Sequence, residues 1–121
     1  MLAFDDPQLG IMLQSSSESA LRDAAFGIVG LDADSRVVVY NRWESELSGL
    51  SPEKVLGKAF FTEVAPCTNN YLVALRYDQE TVLDETLDYV FSYRLRPIAV
   101  RLRLLKVGGD RRWLLVMRRD G

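Results

Sequence analysis

Histidine is absent from the 121 residues, and cysteine occurs once, as Cys67. Without imidazole the chain lacks the commonest general base near neutral pH, a principal zinc ligand and the usual axial ligand of haem. A single thiol can neither close an internal disulfide nor build a paired-cysteine metal site. Charge of one sign is also missing in excess: 15 Lys and Arg stand against 17 Asp and Glu, a formal net charge of −2. The dense cationic surplus that a phosphate backbone demands is not there, so nucleic acid is not expected as a partner. The arginines near the C-terminus (Arg101, Arg103, Arg111, Arg112, Arg118 and Arg119) interleave with strand-like apolar residues, as on a solvated sheet face. No apolar run approaches the roughly 20 residues that span a bilayer. The opening Met-Leu-Ala-Phe-Asp-Asp has neither the basic nor the apolar stretch of a signal peptide, which predicts a cytoplasmic protein without a membrane partner. Nor is there a phosphate-cradling glycine loop, a GxSxG elbow or calcium-loop spacing, so an enzyme is not expected.

What is present is 48% hydrophobic residues in a length typical of one domain. Residues 1–14 are weakly patterned, punctuated by Pro7 and Gly10, and read as an irregular lead-in to a single domain over 15–121. Ser15-Ser16-Ser17-Glu18 ahead of Ala20, Leu21, Ala24 and Ala25 is an N-cap signal followed by small apolar residues at helical spacing. Phe26 to Asp32 and Val37 to Tyr40 read as a β-hairpin whose turn, Ala33-Asp34-Ser35-Arg36, carries Asp and Ser. From Asn41 the pattern turns helical and broken: Gly49 and Gly57 are stops, and Ser51-Pro52 starts a further short helix. Phe60 to Val64 reads as a helical turn, residues 65–70 as a loop, and Tyr71 to about Gln79 as a helix. Beyond Leu83 the period becomes two, with Leu87, Tyr89, Phe91, Tyr93 and Leu95 on one side of a long strand. Two more strands follow, one with Val100, Leu102 and Leu104, the other from Trp113 to Met117, joined at Gly108-Gly109-Asp110. The order predicts an α+β domain: a five-stranded antiparallel sheet with short helices on one face and an N-terminal helical cap.

Three residues are hard to explain as surface. If Asn41 onward is helical, Tyr40, Trp43, Glu44 and Leu47 share one stripe, which sets the Glu44 carboxyl against apolar neighbours, where ionisation is costly. A slightly rotated helix would instead leave Glu44 wet. Cys67 reads either as a small buried hydrophobe or as a reactive thiol, since it lies in a Pro-bounded loop just before a helix whose amides favour a thiolate. A cysteine hydrolase is disfavoured, because no histidine exists to activate the thiol.

Ala25-Phe26-Gly27, Leu31-Asp32, Tyr40-Asn41-x-x-Glu44, Ser48-Gly49, Val55-x-Gly57-Lys58-x-Phe60-Phe61 and Val64-Ala65-Pro66-Cys67-Thr68 together resemble the photoactive yellow protein family, PAS-fold blue-light receptors. The likeness continues through Tyr89-x-Phe91-x-Tyr93-x-Leu95-x-Pro97 to the strand containing Trp113, covering roughly residues 20–119. It implies a p-hydroxycinnamoyl (p-coumaric acid) group held as a thioester on Cys67, with its phenolate oxygen bonded by Tyr40 and a protonated Glu44. It further implies that Ser48 orients Tyr40, that Phe60, Phe91, Tyr93 and Leu95 line the pocket, and that light-driven isomerisation loosens the N-terminal cap. The sequence departs from the family at Leu50, where the family has a shielding arginine, and in a segment after Cys67 about three residues shorter. Trp43 is bulky where the family commonly has a small residue. Two other readings stand beside the photoreceptor. One is a pigment-free PAS module for small-ligand sensing or protein interaction, signalling as a homodimer or through a partner the sequence does not identify. The other is a redox sensor using Cys67 as an oxidisable thiol.

Overall fold

The computed structural model describes residues 1–93 and 96–119. Two short helices, α1 (Leu9–Ser15) and α2 (Glu18–Arg22), precede a hairpin of β1 (Gly27–Leu31) and β2 (Val37–Tyr40). Helices α3 (Arg42–Ser48) and α4 (Pro52–Val55) follow, then a π-helical turn (Phe60–Val64), a 3-10 turn (Pro66–Thr68) and α5 (Ala74–Gln79). Strands β3 (Leu83–Tyr93), β4 (Arg96–Lys106) and β5 (Arg112–Arg118) complete the domain. The five strands form one antiparallel sheet in the order β2-β1-β5-β4-β3. This order explains where the helices lie. The chain leaves β2 at one edge of the sheet and re-enters it as β3 at the other, so residues 41–82 must cross a face, and they bury it as they cross.

Local chemistry sets the element ends as the sequence leads one to expect. Ser17 caps α2, its Oγ accepting from the Ala20 amide at 3.1 Å. In the β1–β2 turn, Asp32 Oδ1 accepts from the amides of Asp34 and Arg36, both at 2.9 Å, which holds Ser35 in the left-handed region at φ 60°. Gly49 closes α3 at φ 77°, a conformation in which a side chain would be strained. Pro52 stands in the first turn of α4. The predicted helix from Tyr71 begins only at Ala74. Asn70 Oδ1 accepts from the amides of Leu72 and Val73, so residues 71–73 form a side-chain-stabilised turn ahead of it.

Strand alternation sends side chains into two cores. On the face crossed by the helices, Val29, Leu31, Phe91, Val100, Leu102, Leu104, Leu114 and Val116 meet Val55, Phe60, Phe61, Val64, Val73 and Tyr77. Tyr77 also ties α5 to the sheet, donating to the Trp113 carbonyl at 2.7 Å, and burial pushes its hydroxyl well above the ordinary tyrosine range. On the opposite face, Ile28, Leu105, Trp113 and Leu115 are covered by Phe4, Leu9, Leu13 and Phe26. Residues 1–14 are therefore not the irregular lead-in that their weak patterning suggests. They contain most of α1, and Phe4 meets Phe26 edge-on at 5.9 Å. Burying Phe4, Leu9 and Leu13 contributes on the order of 5 kcal/mol, which helps a segment too short to form a stable helix alone to order on the sheet.

One cation fastens that layer. Arg103, buried on β4, donates from Nη1 to the carbonyls of Phe4 and Asp6, both at 2.8 Å, and from Nε and Nη2 to Asp84 of β3 at 2.9 and 3.0 Å. All four bonds are charge-assisted, and the carboxylate is gripped bidentately. Replacing Arg103→Met keeps the stem and removes the donors, so Phe4 O and the Asp84 carboxylate lose these bonds while Asp6 O keeps the Leu9 amide. The expected result is a loss of about 2–3 kcal/mol in urea unfolding together with faster chymotryptic cleavage at Phe4. An unchanged urea midpoint and cleavage rate would contradict it.

Candidate functional site

The site is built where β2 gives way to α3. Asn41 is the N-cap, 3% exposed, its Oδ1 accepting from the Glu44 amide at 3.2 Å and from the Ile28 amide of β1 at 2.9 Å. Its Nδ2 donates to the carbonyls of Leu21 and Phe26 at 3.0 and 2.9 Å. With the first turn of α3 fixed in this way, Glu44 faces inward and is 0% exposed, while Arg42 and Glu46 remain in solvent. The rotated alternative that would have left Glu44 wet is not adopted. Trp43 and Leu47 pack against the same core.

Gly27 is what gives the carboxyl room. A Cβ at this position would collide with Glu44 Oε1 and would stand 3.0 Å from Val116 Cβ and 3.1 Å from the Trp43 ring. The absence of a side chain on β1 thus lets α3 lay its glutamate directly on the strand. Tyr40, 5% exposed, donates its hydroxyl proton to Ser48 Oγ at 2.7 Å, and Ser48 Oγ also accepts from the Leu50 amide at 3.2 Å. Ser45 Oγ donates to the Leu50 carbonyl at 2.7 Å, so both polar atoms of the Leu50 backbone are tied to α3.

Cys67 lies in the 3-10 turn and is half-buried, packed against the core that contains Tyr40, Phe60, Phe61, Val64 and Phe91. Thr68 beneath it is 0% exposed, with Oγ1 donating to the Ala65 carbonyl at 2.7 Å. Phe60 and Phe91 are fully buried, and Tyr89 meets Phe91 edge-on at 6.1 Å. Tyr40, Glu44, Ser48, Cys67, Phe60 and Phe91 therefore all lie in or against the core layer beneath the crossing helices. The Tyr93 side chain and Leu95, the remaining expected lining positions, lie outside the described residues.

These elements set the Tyr40 phenol, the Glu44 carboxyl, the Ser48 hydroxyl and the Cys67 thiol in or against a core of aromatic and aliphatic side chains. The phenol and the carboxyl are hydrogen-bonding groups in a largely apolar setting, and the half-buried thiol can act as a nucleophile when ionised. Sequence reasoning did not single out Asn41, Asn70 or Tyr89 as parts of the site. Asn41 carried a signal in its place directly before a helix. Nothing in the sequence distinguishes Asn70 from Asn69, and Tyr89 read as one aromatic of a packing face.

The chain matches the PAS fold family over residues 17–119. It is 31% identical to the photoactive yellow protein of Rhodothalassium salexigens, with 98% of each chain aligned, and 34% identical to that of Halochromatium salexigens, with 88% of each aligned. The crystal structure of the photoactive yellow protein domain from the sensor histidine kinase Ppr of Rhodospirillum centenum superposes with a TM-score of 0.82. It is 34% identical, and the match covers 90% of this chain and 99% of that one.

The close approach at Gly27 makes a checkable demand. Gly27→Ala forces Glu44 or β1 to move, so the variant is expected to lose about 1–3 kcal/mol in chemical denaturation, as overpacked cores do. A stability equal to that of the parent protein would show that the carboxyl does not rest on the strand.

Proposed function

The chain belongs to the photoactive yellow protein family of PAS-fold sensory modules, which are not enzymes, and on that premise we propose that it senses blue light through a p-hydroxycinnamoyl group held as a thioester on Cys67. The observation that carries this reading is the burial of Glu44, at 0% exposure, near the Tyr40–Ser48 pair in the same core layer that Cys67 packs against. A buried carboxyl beside a buried phenol places two hydrogen-bonding groups in an otherwise apolar layer, where either can bond an oxygen. The core residues near Cys67, among them Phe60, Phe61, Val64 and Phe91, are suited to packing against an aromatic ring. The donor set suits its phenolic oxygen.

When bound, the pigment supplies light absorption and isomerisation; the rest is the work of this chain. Cys67 would provide the sulfur: the thioester bond forms as the acyl donor's bond to its leaving group breaks, and the thiol proton goes with that departing group. Tyr40 has one proton, given to Ser48 in this structure. Turned toward an incoming oxygen, it would lose that bond unless Ser48 reversed its role, and a serine hydroxyl can do so, donating its own proton back to Tyr40 Oη. The second proton would come from the buried Glu44 carboxyl. If that proton departs, a carboxylate remains in a dry core at a cost of several kcal/mol, relieved by admitting water or by loosening the elements around it. Those elements are α3 and β1, which Asn41 ties to the end of α2 and to the residue preceding β1.

Incubating the purified protein with an activated ester of p-hydroxycinnamic acid is expected to yield a visible band red-shifted from the free acid and a mass gain of one acyl group. Both should be lost in Cys67→Ala. Tyr40→Phe should load pigment but shift the band, because one donor to the phenolic oxygen is gone. Absence of any adduct on the folded protein would leave the pigment-free PAS module as the reading to pursue.

A further inference from the structure

The carbonyl of Cys67 is held more firmly than a loop needs. Tyr89, from β3, donates its hydroxyl to Cys67 O at 2.5 Å, and Asn70 Nδ2 donates to the same oxygen at 3.2 Å. Asn70 Nδ2 also donates to Tyr89 Oη, at 2.7 Å. The amide's other end is engaged as well, since Asn70 Oδ1 accepts from the backbone of Leu72 and Val73. Asn70 therefore has both hydrogens and its oxygen committed, linking the 3-10 turn, the sheet and the segment that leads to α5. A carbonyl in a partly exposed turn is readily satisfied by water. Satisfying it with a side chain from the sheet fixes where the turn sits, and with it the Cα of Cys67.

We propose that Asn70 and Tyr89 are positioning residues for the Cys67 thiol, holding its turn against β3 so that the sulfur stays half-buried against the core. The role in pigment attachment rests on the reading of Cys67 given above; the restraint on the thiol does not. Tyr89 is suited to this because its ring is fixed edge-on against Phe91 and its hydroxyl reaches out from a rigid strand. Asn70 is suited because a loop amide can bond the carbonyl three residues back while shaping the turn ahead.

Cys67 is the sole cysteine, so alkylation of the pigment-free protein by iodoacetamide, followed by intact mass, reports on this thiol alone. On the alkaline plateau, where the thiol is ionised, Tyr89→Phe is expected to react about five-fold faster than the parent, as one lost hydrogen bond of ordinary strength allows. Asn70→Asp keeps the acceptor for Leu72 and Val73 and loses both donors; it should show the same acceleration with the turn retained. Tyr71→Phe, an exposed neighbour, should react at the parent rate. Rates are compared well below each variant's unfolding midpoint, so that global unfolding does not contribute. Rates for Tyr89→Phe and Asn70→Asp within two-fold of the parent would overturn the positioning role. The reagent needs no pigment. A parent that fails to load p-hydroxycinnamic acid leaves this comparison standing, and unaltered alkylation in a parent that does load it overturns the positioning role alone.

Discussion

The side chain of Asn41 is the joint on which the site depends. One amide, almost without contact with solvent, receives the amides of Ile28 and Glu44 and donates to the carbonyls of Leu21 and Phe26. Three pieces of chain are thereby fixed to one another: the end of α2, the start of β1 and the first turn of α3. The rotation of α3 about its own axis follows from that cap, and the burial of Glu44 follows from the rotation. A helix of seven residues has little stability of its own, so its orientation is decided by such a cap and by the side chains it buries. A fully satisfied buried polar group of this kind enforces one arrangement, because any other leaves several backbone groups unpaired in a dry interior.

The architecture was legible in the sequence because the signals there were strong and local. Asp34 and Ser35 marked the first turn, Gly49 and Pro52 bounded the middle helices, and alternation through Leu87, Tyr89 and Phe91 made β3 unmistakable. Residues 1–14 failed that kind of reading for a physical reason. Leu9 and Leu13 make only one helical repeat, Phe4 stands alone, and what orders them is a sheet face assembled from β1 and from the distant strands β4 and β5. Likewise, the periodicity of Arg101 and Arg103 reads as a wet face, and Arg101 is indeed exposed, paired with Asp88. Arg103, two residues on, is buried, because it lies under the N-terminal segment. Period two tells which side of a strand a residue faces; it does not tell what covers that side.

In the site, spacing placed Tyr40, Glu44 and Leu47 on one stripe, but it could not choose between a buried and a wet glutamate. The deciding facts lay elsewhere: an N-cap amide that also serves β1, and a strand glycine that leaves room for a carboxyl. Similarly, the pairing of Tyr40 with Ser48 spans the whole of α3 and depends on how the helix folds back over the end of β2. The resemblance to photoactive yellow proteins groups these residues; in the structure Tyr40 bonds Ser48, Glu44 is buried, and Cys67 packs against the core that contains Tyr40.

The sheet that divides the two cores is one residue thick. Along β1, Ile28 belongs to the outer core and Val29 to the inner, and along β5 Leu115 and Leu114 do the same. Densely packed interiors compress little. A strand that yields on the side of Glu44 therefore presents the same displacement to Phe4, Leu9 and Leu13 on the other side. The inner core and the N-terminal layer thus share a wall, and the packing of each is set against opposite sides of the same strands.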